Sequence, residues 1–272
     1  MARKLEHEAR QLVGKNWGKG SGTHKKLLSN IKSISRFMET QSLNSIKHMK
    51  TKHVLNYFEH QKQRGLSAST LQNHATAMRF LAQAIGKQNI VPRTNQELGI
   101  VRAGRYNLKS TDPAQQELLR AALYMKHLSL GVAHDLRASF GLRAQESITA
   151  RVVNRSGDEL LRVIGKGGRV REVPVDTPEK SMALLALKQV AADQGTPGLI
   201  PAGMSLKQFY TFQKNAVYRA GSTKTSMSNM HTLRHQHAQS MSQNGKTHQE
   251  IAEELGHNRS DSAFHYLLDE DE

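Results

Sequence analysis

The sequence of 272 residues contains no cysteine. Disulfide frameworks and cysteine-ligated zinc are therefore excluded. Aromatic residues make up only 5% of the chain, with a single tryptophan. Any core must be built largely from Leu, Ile, Val, Ala and Met. No apolar run approaches the ~20 residues needed to span a bilayer. The N-terminal MARKLEHEARQ is charged where a secretory leader requires an apolar stretch. A protein of the cytoplasm is the expectation. There is no GxxxxGK[ST] loop to imply ATP and no carboxylate cluster to imply Mg²⁺.

Acidic residues are also scarce. Asp and Glu number 23 against 39 Lys and Arg, giving a formal net charge of +16 and a pI of about 10.1. A pI above ~9 is the electrostatic footprint of a nucleic-acid binder, whose affinity falls steeply with salt as counterions are released. An anionic membrane is the rival polyanion. It calls for a basic amphipathic helix beside a lipid motif, and the sequence has neither. Basic residues concentrate at 15–26, 102–109 and 162–171, whereas the last four residues are all acidic. Three separated basic stretches suit a chain that surrounds a duplex better than one that touches it at a single helix.

A prior of ~150 residues per domain gives about two domains. Residues 1–21 read as a flexible basic N-terminal arm. Residues 22–90 read as a small all-helical unit: Leu27, Leu28, Ile31, Ile34, Phe37 and Met38 recur at helical spacing. A short helix fits Val54, Leu55 and Phe58, and a third fits Leu71, Met78, Leu81 and Ile85, with Ser67 or Ser69 as its cap. The periodicity fades between Gly86 and Pro113, and 91–111 reads as a linker. A second unit spans 112–272 and opens on a helix capped by Asp112 with Pro113 in its first turn. Residues 159–164 and 170–175 are β-rich runs around the glycine-rich stretch 165–169, a hairpin signal. Helical patterns follow at 179–194, 205–220, 229–243 and 247–255, with a last short one near 260–268. The fold class expected is mainly α with a small antiparallel β-sheet (α+β).

Chemistry-bearing residues gather in this second unit. Arg143 follows a helix and has Glu146 three residues on. Lys166 stands alone among glycines at the hairpin tip. His231-Thr-Leu-Arg234 opens a helix. Leu255-Gly-His257 is followed nine residues later by Tyr266. Singly, each has an ordinary explanation. Arg143 and Glu146 suit a helix-end ion pair, Lys166 a solvated turn, His257 a helix C-cap and Tyr266 a packed ring. His231 and His235, four apart, have metal-ligand spacing but neither a nearby carboxylate ligand nor an HExxH pattern.

Taken in order, however, the set of Arg, hairpin Lys, His-x-x-Arg, Leu-Gly-His and Tyr resembles the tyrosine recombinase (phage-type integrase) family. The likeness covers about 112–268, and the helical block before it is similar in kind to that family's core-binding domain. The resemblance implies two domains forming a clamp around DNA. It implies a site-specific DNA recombinase or integrase that cleaves and rejoins strands through a covalent 3′-phosphotyrosine, for integration or excision of a mobile element. Residue by residue, it implies that Tyr266 is the nucleophile, that Arg143 and Arg234 hold the non-bridging phosphate oxygens, and that Lys166 is the acid for the leaving 5′ oxygen. It makes His231 an acid–base partner, His257 a further donor to the phosphate, and Glu146 an orienting acid. It further implies double-stranded DNA as partner, a homotetramer on DNA assembled from monomers or dimers through a Holliday junction, no metal or other cofactor, and a prokaryotic or phage-borne, nucleoid-associated setting.

The residue types suit that chemistry independently. Two guanidiniums grip oxygens that gain charge during in-line attack, through donor forks that an ammonium lacks. A phenol of pKa near 10 needs a base and local positive charge to attack at neutral pH. Two readings share the fold, a type IB topoisomerase-like enzyme and a non-catalytic DNA-binding regulator. A basic nucleoid protein is a third, and it has no use for the six-residue set.

Overall fold

The computed structural model describes residues 3–14, 21–101, 112–222 and 229–257. The chain divides into two compact units, 1–105 and 106–272.

Among the described residues of the first unit are four α-helices: α1 (Arg3–Val13), α2 (Ser21–Thr40), α3 (Thr51–Gln63) and α4 (Ala68–Ala84). Each buries one stripe. Ile31, Ile34 and Met38 of α2, Val54, Tyr57 and Phe58 of α3, and Leu71, Ala75, Met78 and Leu81 of α4 meet in a single core. Of the two serines proposed to cap α4, Ser67 does so, its hydroxyl accepting from the Thr70 N–H at 3.3 Å.

Two boundaries differ from the sequence reading. Residues 3–13 of the expected flexible arm form a helix whose Leu5, Ala9 and Val13, four apart, are buried in the core. Glu8 ties that helix down by accepting from the Ser45 hydroxyl and, at 3.0 Å, from the Ile46 N–H. The charges around those three residues hid the stripe. Part of the expected linker likewise packs into this unit. Val91, Leu98 and Ile100 are buried in its core, and the Arg79 guanidinium holds the Pro92 carbonyl and Asn95 Oδ1 at 2.9–3.1 Å.

The second unit runs α5 (Pro113–Lys126), α6 (Leu128–Phe140), α7 (Ala144–Thr149), β1 (Arg151–Arg155), β2 (Asp158–Ile164), β3 (Val170–Pro174), α8 (Pro178–Gln194), α9 (Leu206–Arg219), α10 (Thr232–Gln243) and α11 (His248–Leu255). The Asp112 side chain caps α5 through the Ala114 N–H at 2.9 Å, with Pro113 next to it. The strands form one antiparallel sheet in the order β1-β2-β3, with Leu161 opposite Val173 and Val163 opposite Arg171. Helix α6 lies at the centre, where Leu130, Val132, Leu136 and Phe140 are fully buried, and it packs on α5, α8 and α10. It stops at Gly141, whose φ of 59° is a left-handed C-cap. A Cβ there would come within 2.7 Å of His237 and Leu255 side-chain atoms. The close approach of α6 to α10 and α11 at this point brings the candidate residues together. The helix expected near 260–268 lies outside the described residues.

Candidate active site

The site is built around one buried carboxylate. Arg143 is the N-cap residue of the short helix α7, and Glu146 in its first turn reaches back to it. Glu146 Oε2 accepts from the Arg143 backbone N–H at 3.0 Å, and Oε1 accepts from Arg143 Nη1 at 2.6 Å. A third donor arrives from the sheet: Arg171 Nη2, on β3, donates to Oε2 at 3.0 Å. Arg234 Nη1 lies 3.8 Å from the same oxygen. One carboxylate with 3% of its side chain exposed thus faces three guanidiniums. Burial alone would raise the Glu146 pKa, but Arg171 and Arg143 outweigh it and hold the carboxyl below the usual range. Glu146 stays ionised and sets the direction of the arginine forks.

Arg234 sits near the start of α10 with 0% of its side chain exposed. Backbone carbonyls anchor it. Nη1 donates to the Gly141 carbonyl at 2.7 Å and Nη2 to that of Leu255 at 2.6 Å. Nη2 also meets His257 Nε2 at 2.9 Å. A guanidinium only donates, so Nε2 must accept and the imidazole proton resides on Nδ1. Burial, then Arg234, Arg143 and Arg171, push the His257 pKa down to about 4, against a smaller opposing pull from Glu146. The ring is neutral at pH 7. Gly256, at φ 67°, ends α11 and turns the chain so that His257 faces this cluster.

Arg143, Arg234 and His257, which span 114 positions of the sequence, are therefore gathered in one place, with Glu146. The two arginines are unequal. Arg143 is 29% exposed, whereas Arg234 is wholly enclosed. Lys166 lies exposed on the β2–β3 turn, between Gly165 and the positive-φ Gly167 and Gly168. The hairpin base is close by: a Cβ on Gly165 would lie 3.6 Å from both Glu146 Oε1 and Arg171 Nη1. His231 is exposed at the N-cap of α10, one helical turn before Arg234, and its backbone N–H donates to Asn229 Oδ1 at 3.0 Å. Tyr266 lies outside the described residues.

Two features escaped sequence reasoning. The first is Arg171. It shares a strand face with buried Val173 and pairs across the ladder with buried Val163. A charge at an inward position of an alternating strand was its available signal. The second is a buried relay beside the site. Lys180 Nζ contacts Asp176 at 2.8 Å and Glu254 at 2.9 Å, and Glu254 also pairs with His237 Nε2 at 2.9 Å. Burial opposes ionisation of Glu254, yet His237 and Lys180 hold its pKa down at about 2. This relay joins α8, α10 and α11 and fixes the helix that presents Gly256 and His257.

Residues 111–272 match the phage integrase family, and residues 3–91 match the phage integrase N-terminal domain. The chain belongs to the phage integrase family. No curated protein is similar enough in sequence to match. Solved structures are similar over nearly the whole chain. The XerH site-specific recombinase bound to palindromic difH substrate, a post-cleavage complex, is 18% identical with a TM-score of 0.70, covering 98% of this chain and 80% of that one. A lambda integrase tetramer bound to a Holliday junction is 16% identical, with a TM-score of 0.65 and coverages of 98% and 77%. The Tn1549 transposon integrase in complex with transposon right end DNA is 15% identical, with a TM-score of 0.59 and coverages of 96% and 94%. These likenesses establish the tyrosine recombinase fold, a mostly helical chain with a small antiparallel sheet. As a member of the integrase family, the protein is a site-specific DNA recombinase.

Proposed function

We propose that this integrase cleaves one DNA strand at a time with Tyr266 and rejoins it to a partner strand, for the integration or excision of a mobile element. The observation that carries the reading is the convergence of Arg143, Arg234 and His257 around buried Glu146. The phenol oxygen of Tyr266 attacks the scissile phosphorus, and His231 takes its proton. The bond from phosphorus to the 5′ oxygen breaks, and Lys166 supplies the proton to that oxygen. A 3′-phosphotyrosyl ester remains, which conserves the bond for religation by an incoming 5′ hydroxyl. Arg143, the partly exposed guanidinium, grips a non-bridging oxygen. Arg234, enclosed and held by two carbonyls, delivers its charge at short range and orients neutral His257, whose Nδ1–H is the donor. Preorganised donors of this kind are each worth about 10²–10³ in rate.

By the same reading the protein works on double-stranded DNA in the cytoplasm, as a homotetramer across a Holliday junction. No described helix is long and apolar enough to cross a membrane. Two duplexes carrying the junction sequences that flank the gene, incubated with the protein, test the assignment. Joint products that require Tyr266 support it. Relaxation of a supercoiled plasmid without joint products would favour a topoisomerase. Binding without cleavage would favour a regulator.

A further inference from the structure

Arg171 belongs to none of the six positions assigned above, yet its guanidinium lies where the elements carrying them meet. It donates to Glu146 Oε2 from β3, opposite the oxygen that receives Arg143 Nη1. It fills the space under Gly256: a Cβ there would lie 2.7 Å from Arg171 Nη1 and 3.1 Å from its Cδ and Cζ. That glycine directly precedes His257. The same guanidinium lies 3.6 Å from where a Cβ on Gly165 would stand, one residue before Lys166. Arg171 is 15% exposed, and its Nε is buried without an acceptor among the described residues. An unmet buried donor costs stability, so the residue is poorly explained as a folding device. Enclosed between a carboxylate and a glycine, it is also badly placed to grip DNA itself.

We infer that Arg171 is a positioning residue for strand cleavage, locking the Glu146 carboxylate that aims Arg143 and bracing the Gly256–His257 turn and the base of the Lys166 hairpin. The inference rests on the recombinase reading above. Its physical content is that three elements share one fork: a planar guanidinium can bond a carboxylate on one edge and pack its face against a glycine, which a lysine cannot do.

The test uses the full chain. Single-turnover cleavage of a nicked junction duplex at saturating protein is compared with duplex affinity for wild type, R171K, R171Q, E146Q and the E146Q/R171Q pair. Circular dichroism and thermal unfolding verify folding. The double variant removes both buried charges together, so it stays informative if R171Q alone unfolds. We expect R171Q to cleave on the order of 10²-fold more slowly, with duplex affinity changed by less than about threefold, and R171K to recover only part of the loss. The double variant should lose less than the product of the two single losses, because the two residues share one contact.

A second readout does not depend on DNA. The groups facing His257 are Arg234 on α10, Arg143 and Glu146 on α7, and Arg171 on β3. Removing the Arg171 cation should therefore raise the His257 titration midpoint, followed by NMR, on the order of half a unit. Folded R171Q that cleaves at the wild-type rate, or losses that multiply in the double variant, would overturn the inference. So would an unmoved His257 midpoint. If wild type itself forms no adduct while the midpoint moves as expected, the positioning geometry stands and the recombinase reading is what fails.

Discussion

At the scale of single residues, the site is organised by the contrast between a buried anion that stays charged and a half-buried imidazole that stays neutral. Glu146 is held ionised by Arg171 and Arg143, while His257 is held neutral by burial and by Arg234, Arg143 and Arg171. The His257 pKa in the fold, about 4, lies below its ordinary value of 6.5. The unfolded chain therefore takes up a proton at a pH where the folded chain does not. The stability linked to this group is complete above pH ~6.5 and is lost as pH falls toward 4. Urea midpoints measured between pH 7 and 4 should fall more steeply for wild type than for His257→Gln. Parallel curves would mean that the ring titrates normally. Glu254 has the same sign at lower pH: its contribution is present above about 4.5 and lost as pH falls toward 2. The residue least legible in the sequence was Arg171, because a basic side chain beside a basic hairpin tip looks like more of the same solvated charge. Its role depends on Glu146, 25 residues earlier, and on Gly256, 85 residues later.

At the scale of elements, the short connections place the chemistry. Gly141 ends α6 in a left-handed conformation, and its carbonyl accepts from Arg234. Gly141→Ala places a Cβ against His237 and Leu255 in a backbone region that alanine adopts with strain. We expect a loss of about 2–4 kcal/mol in unfolding free energy and a slower cleavage step. Wild-type stability would show that the α6 end can shift without cost. On the β2–β3 turn the expectation is reversed. Lys166 is exposed, so Lys166→Ala should change stability by less than about 0.5 kcal/mol while slowing cleavage by about 10²–10⁴. A substrate whose leaving 5′ oxygen is replaced by sulfur, a leaving group that needs no proton, should restore most of the rate. No restoration would remove Lys166 as the acid. The elements that were legible include α2, α3 and α4 by their apolar spacing, α5 by its Asp112–Pro113 start, α8 to α11 by their helical patterns, and β2 and β3 by their glycine turn. Helix α6 was not, because it is buried on nearly every side and so has no polar stripe to set a period. Strand β1, Arg151–Arg155, was hidden by its half-exposed, basic composition.

At the scale of the whole molecule, a net charge of +16 on 272 residues supplies sequence-independent attraction to DNA, and three arginines gather around Glu146 in the second unit. The two-unit organisation was visible in the fading periodicity after residue 86, but the first unit is larger than its helical pattern suggested at both ends. Leu5, Ala9 and Val13 at one end, and Leu98 and Ile100 at the other, are buried in its core. Deleting residues 1–14 should therefore cost about 3 kcal/mol or more and speed amide exchange in α2 and α4. A truncated chain with unchanged exchange would return those residues to the status of a free arm. The central claim is that a phenol carried on the residues after α11 reaches the arginine–histidine cluster and takes the DNA phosphate onto itself. Peptide mapping of the covalent protein–DNA adduct trapped on a nicked junction duplex tests this most directly. The account expects the 3′ phosphate on Tyr266 and no adduct from Tyr266→Phe; an adduct on any other residue, or an equal yield from that variant, would contradict it.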